Sequence, residues 1–406
     1  MNSKGQQVKA GAGTELPLLV IKGKKIRIPI IQGGMGVGVS LSPLAGAVAQ
    51  EGGVGIVSSA ALDRVISKRN GRRCSPYEAA YEEISLSKAG GGFAGINIMV
   101  ALLMTHDATV EAAIDAGADF IISGAGLPLR LPLIKDPGET ALIPIVSSHR
   151  ALELICKKWE RAGYRPDAVV LEGPLAGGHL GFKFEELCLE SNRLENLFPP
   201  VKETAEKHGG FPVIVAGGIY DHSDIVRFLK MGADGVQMGT RFMVTRECSA
   251  TDAYKQAVID ARKEDIVVAH NPGSPSGLPF MAIKQSGMYQ SALSKKRKPA
   301  CNKGYMLRPD RNGVFNQCDS RLKNSNSFCI CNGLLSSAGY NPDLEEPLYT
   351  VGANGYRIDR LTTVKELMAE LTGKQRPVSI QCEVNIHRSI FTPASHCKNR
   401  FLEELG

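Results

Sequence analysis

Chemistry in this sequence concentrates in short, glycine-flanked turns. His179 stands within Gly177-Gly178-His179-Leu180-Gly181-Phe182. Glycines on both sides give the imidazole little steric cover, so it can reach a bound molecule, and its ordinary pKa suits proton transfer near neutrality. A structural loop histidine is the other reading. Two later stretches, Val213-Ile214-Val215-Ala216-Gly217-Gly218-Ile219 and Gly235-Val236-Gln237-Met238-Gly239-Thr240-Arg241-Phe242, each run an apolar strand into small residues. Backbone N–H groups approach an anion closely where no side chain intervenes, so one use of these glycines is phosphate binding. Closing a tight strand-to-helix turn is the other. The dinucleotide fingerprint fails: Gly34-Met35-Gly36 and Gly36-Val37-Gly38 lack their third glycine, and residues 90–95 match it but precede a strand. Cys301, Cys318, Cys329 and Cys331 crowd a polar stretch. Metal-binding thiolates pair as C-x₂-C, whereas Cys329-Ile330-Cys331 is C-x-C, so free thiols fit better than a metal site or a redox pair. His149, behind Ser147 and Ser148 at another strand end, has no motif around it, and no metal ligand set is expected.

These side chains need elements to hold them. Apolar, β-branched runs recur at residues 26–31, 54–57, 94–100, 120–122, 142–146, 168–171, 212–215 and 235–238. Each is continuous rather than alternating, as expected of strands buried on both faces. Helical spacing lies between them, as in Leu41, Leu44, Ala45 and Val48, with Ser42-Pro43 reading as cap and first-turn proline. Eight strand–helix units predict a (β/α)₈ TIM barrel, a fold of ~250 residues. A doubly wound open sheet is the alternative. The connection after the sixth strand is enlarged and carries His179. That places it at the C-terminal face, where barrel active sites sit, and the loops after strands seven and eight commonly bind phosphate. Residues 364–371 read as a closing helix.

Composition limits the partners. The 406 residues are 43% hydrophobic and 22% charged, with a net charge of +7, the profile of an ordinary globular chain. Ten cysteines are far below a disulfide scaffold, so reduced thiols and a cytoplasmic location are expected. No run approaches the ~20 apolar residues of a membrane span. The basic run Lys295-Lys296-Arg297-Lys298 has no aromatic neighbours. Neither membrane nor nucleic acid is an expected partner.

Five stretches in order, Ile31-Gln32-Gly33-Gly34-Met35-Gly36, Gly95-Ile96-Asn97, the His179 turn, Ala216-Gly217-Gly218-Ile219 and Gly239-Thr240-Arg241-Phe242, resemble nitronate monooxygenase. Ser274-Pro275-Ser276-Gly277-Leu278-Pro279 follows them. This is the former 2-nitropropane dioxygenase family, which includes the flavin-dependent enoyl-acyl-carrier-protein reductases. The resemblance spans residues 26–283 and implies an FMN-binding TIM barrel with a smaller lid. It implies Gly34 and Met35 against the flavin, Asn97 bonded to its ring, and Gly217, Gly218, Gly239 and Thr240 on its phosphate. Gly178, Ala216 and Gln237 would complete the cofactor site, and His179 would be catalytic. The implied domains are an N-terminal extension 1–25, the barrel 26–262, a lid and cysteine-containing region 263–373, and a tail 374–406. Gly352-Ala353-Asn354-Gly355-Tyr356-Arg357-Ile358-Asp359 is similar to a stretch in longer members, which ties the cysteine-rich region to the fold. The implied reaction is oxidation of a small alkyl nitronate with O₂ to a carbonyl compound and nitrite. An NAD(P)H-dependent reductase of enoyl thioesters or quinones is the alternative, and a flavin-free binding or assembly barrel is the non-enzyme reading.

Overall fold

The computed structural model describes residues 16–294, 308–309, 315–318, 327–340 and 345–374. Eight strands form a closed barrel: β1 (Ile30–Gln32), β2 (Val54–Ser58), β3 (Phe93–Met99), β4 (Phe120–Gly124), β5 (Ala141–Val146), β6 (Val169–Glu172), β7 (Val213–Ala216) and β8 (Gly235–Met238). They neighbour one another in chain order and every pair is parallel. Closure excludes the open sheet. The strands fall on the predicted apolar runs, except that the first run divides. Its Ile26 ends a hairpin, Leu19–Ile21 with Lys24–Ile26, and only the part from Ile30 enters the barrel. Leu19, Ile21 and Ile26 pack with Ile31, Val54, Ile56 and Phe120. Residues expected in an N-terminal extension therefore plug the N-terminal end of the barrel.

Side chains alternate along each strand, so every second residue points into the barrel. Ile56, Ile122, Ile143, Val170 and Ile214 fill the interior. One step further toward the C-terminal ends, the inward positions become Ser58, Asn97, Glu172, Ala216 and Gln237, which line the mouth. The apolar core thus gives way to a polar layer at the end where a ligand can enter.

Helices cover the outside. The first, Ser42–Gln50, starts one residue earlier than expected. Leu41 is its N-cap, and the buried Glu83 carboxylate accepts from the Ser42 N–H at 2.6 Å in place of a capping side chain. After β8 the chain makes the short helix Thr240–Met243 and the helix Asp252–Asp260, then leaves the barrel. Strands Ile266–Ala269 and Phe280–Ile283 pair antiparallel, and the second of them also pairs with Gly178–His179 from the loop after β6. Phe280, Phe328, Ile330 and Leu348 give this sheet a small core of its own. The chain then returns. Helix Val364–Leu371 packs against Ser42–Gln50 and His222–Lys230, and its buried Val364, Leu367, Met368 and Leu371 join the main core. The helix expected with the appendage thus completes the barrel's outer ring, and the excursion lies between the eighth strand and that helix.

Cys318, Cys329 and Cys331 are buried, and Cys318 packs against Cys329. Among the described residues no group of three or more His, Cys, Asp or Glu is placed to hold a metal, and no helix is long and apolar enough to cross a membrane. Cys301, the basic run at 295–298 and the stretch 375–406 lie outside the described residues. Cys188 departs from the expectation of reduced thiols: it is disulfide-bonded.

Candidate active site

A cavity of about 460 Å³ opens at the C-terminal mouth of the barrel, within the ~300–1,000 Å³ of small-molecule sites. Gly34 and Met35 reach it from the end of β1, Asn97 from β3, and Gly178 and His179 from the loop after β6. Ala216, Gly217 and Gly218 reach it from β7, and Gln237, Gly239 and Thr240 from β8. Every residue singled out in the sequence as catalytic or cofactor-binding lines this one space.

Local backbone explains two of these positions. A Cβ on Gly34 would stand 2.3 Å from the Asn97 Cβ, so only glycine lets β1 turn while Asn97 fills the adjacent inward position. Gly217 and Gly218 hold consecutive φ values of +89° and +92°, which L side chains rarely adopt. The turn therefore shows the cavity bare backbone.

His179 is held by a hydrogen-bond chain. The Leu278 N–H donates to Ser276 Oγ at 3.2 Å. Ser274 Oγ accepts from the Ser276 N–H at 3.3 Å and lies 3.0 Å from Ser276 Oγ. Ser274 Oγ in turn lies 2.7 Å from His179 Nε2 and shares one proton with it. In the tautomer where Ser274 donates, Nε2 accepts and the ring proton stands on Nδ1, for which no hydrogen bond is found among the described residues. The Phe280 ring meets the imidazole edge-on at 4.9 Å between centroids. Burial pushes the imidazole down to about 4. This shift runs away from the neutrality expected of the imidazole and favours its uncharged form. The group pushed toward neutrality is Glu172, raised by burial to about 7.

Sequence reasoning missed three contributors. Glu172 ends an apolar strand and read only as its boundary, although two-residue alternation from Val170 points it inward. Ser274 lay in a quoted motif without a role. The third is a strap, residues 350–354. Its Gly352 N–H donates to Thr240 Oγ1 at 3.0 Å and its Asn354 Nδ2 donates to the Gly218 carbonyl at 2.7 Å. Arg357 anchors it, with the guanidinium carbon 3.8 Å from the Tyr220 ring centroid and a 3.0 Å ion pair to Asp221. No local signal marks a strap that meets its partners more than a hundred residues away. The remaining candidates divide. Ser147 and Ser148 line the cavity. His149 starts the helix His149–Glu160, outside the cavity lining, and His270 stacks on Phe184 at 4.7 Å. The glycines at 90–95 lead into β3 at the opposite end of the barrel.

Comparison with known proteins agrees with this architecture. The chain is similar to probable nitronate monooxygenases of Staphylococcus saprophyticus, 32% identical over 150 residues (34% of this chain, 42% of that protein). It is similarly related to that of Staphylococcus aureus strain N315, 36% identical over 158 residues (36% and 43%). The chain thus matches less than half the length of these curated relatives. Among solved structures, FabK from Thermotoga maritima superposes with a TM-score of 0.63 at 24% identity, covering 86% of this chain and 93% of that one. Nitroalkane oxidase from Streptomyces ansochromogenes gives 0.60 at 20% identity, covering 86% and 96%. Likenesses this remote show a shared fold. The model of the nitronate monooxygenase family matches residues 78–374, from the third outer helix through His179, both glycine-ended strands, the strap and the closing helix. On that match, well over half of its length, the chain belongs to the nitronate monooxygenase family.

Proposed function

We propose that this protein is an FMN-dependent oxidoreductase that oxidises alkyl nitronates with O₂ to a carbonyl compound and nitrite. The observation that carries the reading is that His179 shares one cavity with every residue expected to hold the cofactor. The residues present fit a flavin mononucleotide. Gln237 Oε1 is a buried acceptor with no partner among the described residues, and buried acceptors of that kind are made for a ligand's N–H. Gly217, Gly218, Gly239 and Thr240 offer the side-chain-poor backbone a phosphate needs. In this reading Gly34 and Met35 lie against the ring, Asn97 bonds its polar edge, and Gly178 and Ala216 complete the walls. FMN supplies the electron acceptor when bound.

The chain's own share is to bind and orient the nitronate. His179 Nδ1–H donates a hydrogen bond to a nitronate oxygen, and Ser274 keeps the proton on that nitrogen. Uncharged, as burial favours, the imidazole steadies the anion without neutralising it, so the electrons remain available for transfer. Anaerobic mixing of the holoprotein with propyl-2-nitronate should bleach the bound flavin. A flavin that stays yellow overturns the reading.

One observation favours a second reading. Leu127 and Leu278, 37% and 36% exposed, give the cavity mouth an apolar rim suited to an acyl chain. Reduction of an enoyl thioester or a quinone by NAD(P)H would use it. Bleaching by NADH or NADPH, with none by the nitronate, would establish that activity instead.

A further inference from the structure

Among the described residues, the cavity lining has one carboxylic acid and no lysine or arginine to answer it. Among its lining residues there is no Lys, Arg or Asp, and the ionisable groups are Glu172, His179, Tyr220 and Cys331. The Glu172 carboxyl makes neither a hydrogen bond nor an ion pair among the described residues. Strand register fixes its neighbours. Ala216 pairs with Glu172 on one side and with Gln237 on the other, so all three side chains share the inward face. Glu172 and Gln237 are then two strands apart, about 10 Å between Cα atoms, with only the Ala216 methyl between. Gln237 Oε1 has no partner among the described residues, and in the proposed reading it takes an N–H of the cofactor, which leaves Glu172 as the carboxyl facing the rest of the cavity.

We propose that Glu172 decides the charge of the substrate that this cavity takes beside the cofactor: with its proton on, the site accepts an anionic substrate, and with its proton off, it rejects one. The inference rests on the nitronate reading for the identity of the anion. Two negative charges side by side repel, the more so where no lysine or arginine lies among the described lining residues. An anion therefore binds the protonated form. Burial raises Glu172 to about 7, so the proton is present below neutrality and lost above it.

The surroundings leave this titration to Glu172. The flanking strands β5 and β7 carry no ionisable side chain. The outer helix Leu194–Lys207 carries Glu195, Lys202, Glu203, Glu206 and Lys207, but it lies outside the barrel while Glu172 points inward. There Glu195 pairs with Arg193 and Arg227, Lys202 with Asp234, and Lys207 with Glu153. Burial favours the uncharged form of His179 and raises Tyr220 above its ordinary value.

The test uses the holoprotein. In the wild type, KM for propyl-2-nitronate should rise about tenfold per pH unit above neutrality, with kcat changing much less. In Glu172→Gln, KM should be flat over the same range. Infrared spectroscopy reads the residue without a substrate: a carboxylic-acid carbonyl band should be present at acid pH, disappear through neutrality, and be missing in Glu172→Gln. A wild-type KM independent of pH, or a slope that survives in Glu172→Gln, overturns the proposal. So does a band that persists in alkali or is absent in acid, and this arm decides the matter on the wild type alone if the variant does not fold. Failure of the nitronate to bleach the flavin at any pH would instead remove the nitronate reading, and the infrared titration would still report on Glu172.

Discussion

The two ring nitrogens of His179 have separate work. Nε2 bonds Ser274, and in the proposed reading Nδ1 meets the substrate. Replacing His179 with Asn keeps a polar group of smaller reach and loses the oriented donor. The expected result is a fall in turnover of roughly 10²–10⁴-fold with flavin content unchanged, read from steady-state rates beside the flavin-to-protein absorbance ratio. An unchanged rate would return His179 to a structural role. The two titratable groups of the cavity, both half-buried, also act oppositely on stability. For His179, folding lowers the pKa from 6.5 to about 4, so its contribution is present above 6.5 and lost as pH falls toward 4. For Glu172, folding raises the pKa from 4.5 to about 7, so its contribution is present below 4.5 and lost as pH rises through 7. Glu172→Gln should therefore melt higher than the wild type at alkaline pH and gain nothing in acid. Calorimetry at the two pH values checks this, and an equal gain at both would show that the carboxyl is not buried uncharged.

At the scale of elements, the barrel strands and the glycine turns were legible for the same reason. A strand buried on both faces must be apolar throughout, and a turn at a ligand must be bare, so both leave local marks in the chain. Glu172 was less legible because one polar residue at the end of an apolar run looks like a boundary until the closed barrel shows which way it points. The strap was not legible at all. Asn354 needs the Gly218 carbonyl and Arg357 needs Tyr220, and no spacing along the chain announces either contact. The turn after β7 offers the clearest test. Gly218→Val would force a side chain into φ +92° and against Leu175, where even a Cβ would stand 2.9 Å from Leu175 Cδ1. The expected cost is about 1–2 kcal/mol of backbone strain. Loss of cofactor should be far larger than that, because the displaced backbone is what the phosphate needs. Equilibrium unfolding and flavin retention on gel filtration, measured together, separate the two effects. Full flavin retention would show that the phosphate lies elsewhere.

For the whole molecule, the order of the chain couples closing the barrel to covering the site. After β8 the chain builds the antiparallel sheet beside His179, lays residues 350–354 across the turns after β7 and β8, and only then supplies the helix Val364–Leu371 that completes the outer ring. His222 Nδ1 bonds the Leu371 carbonyl at 2.8 Å, and Arg241, on the turn after β8, pairs with Glu370 at 2.9 Å. The closing helix is thus held to the same turns that the strap covers. Strap and helix nevertheless make different contacts, and two substitutions should separate them. Leu367→Ala empties a fully buried position in the main core and should cost about 2–5 kcal/mol, while leaving flavin affinity intact at temperatures where the chain stays folded. Asn354→Ala removes only the bond to the Gly218 carbonyl. It should change stability by about 1 kcal/mol yet weaken flavin retention, because the β7 turn loses the contact that fixes it. If both variants lost flavin in proportion to stability, the strap would be no more than part of the general packing. If they diverge as expected, the excursion between the eighth strand and its helix is what turns a closed barrel into a cofactor site.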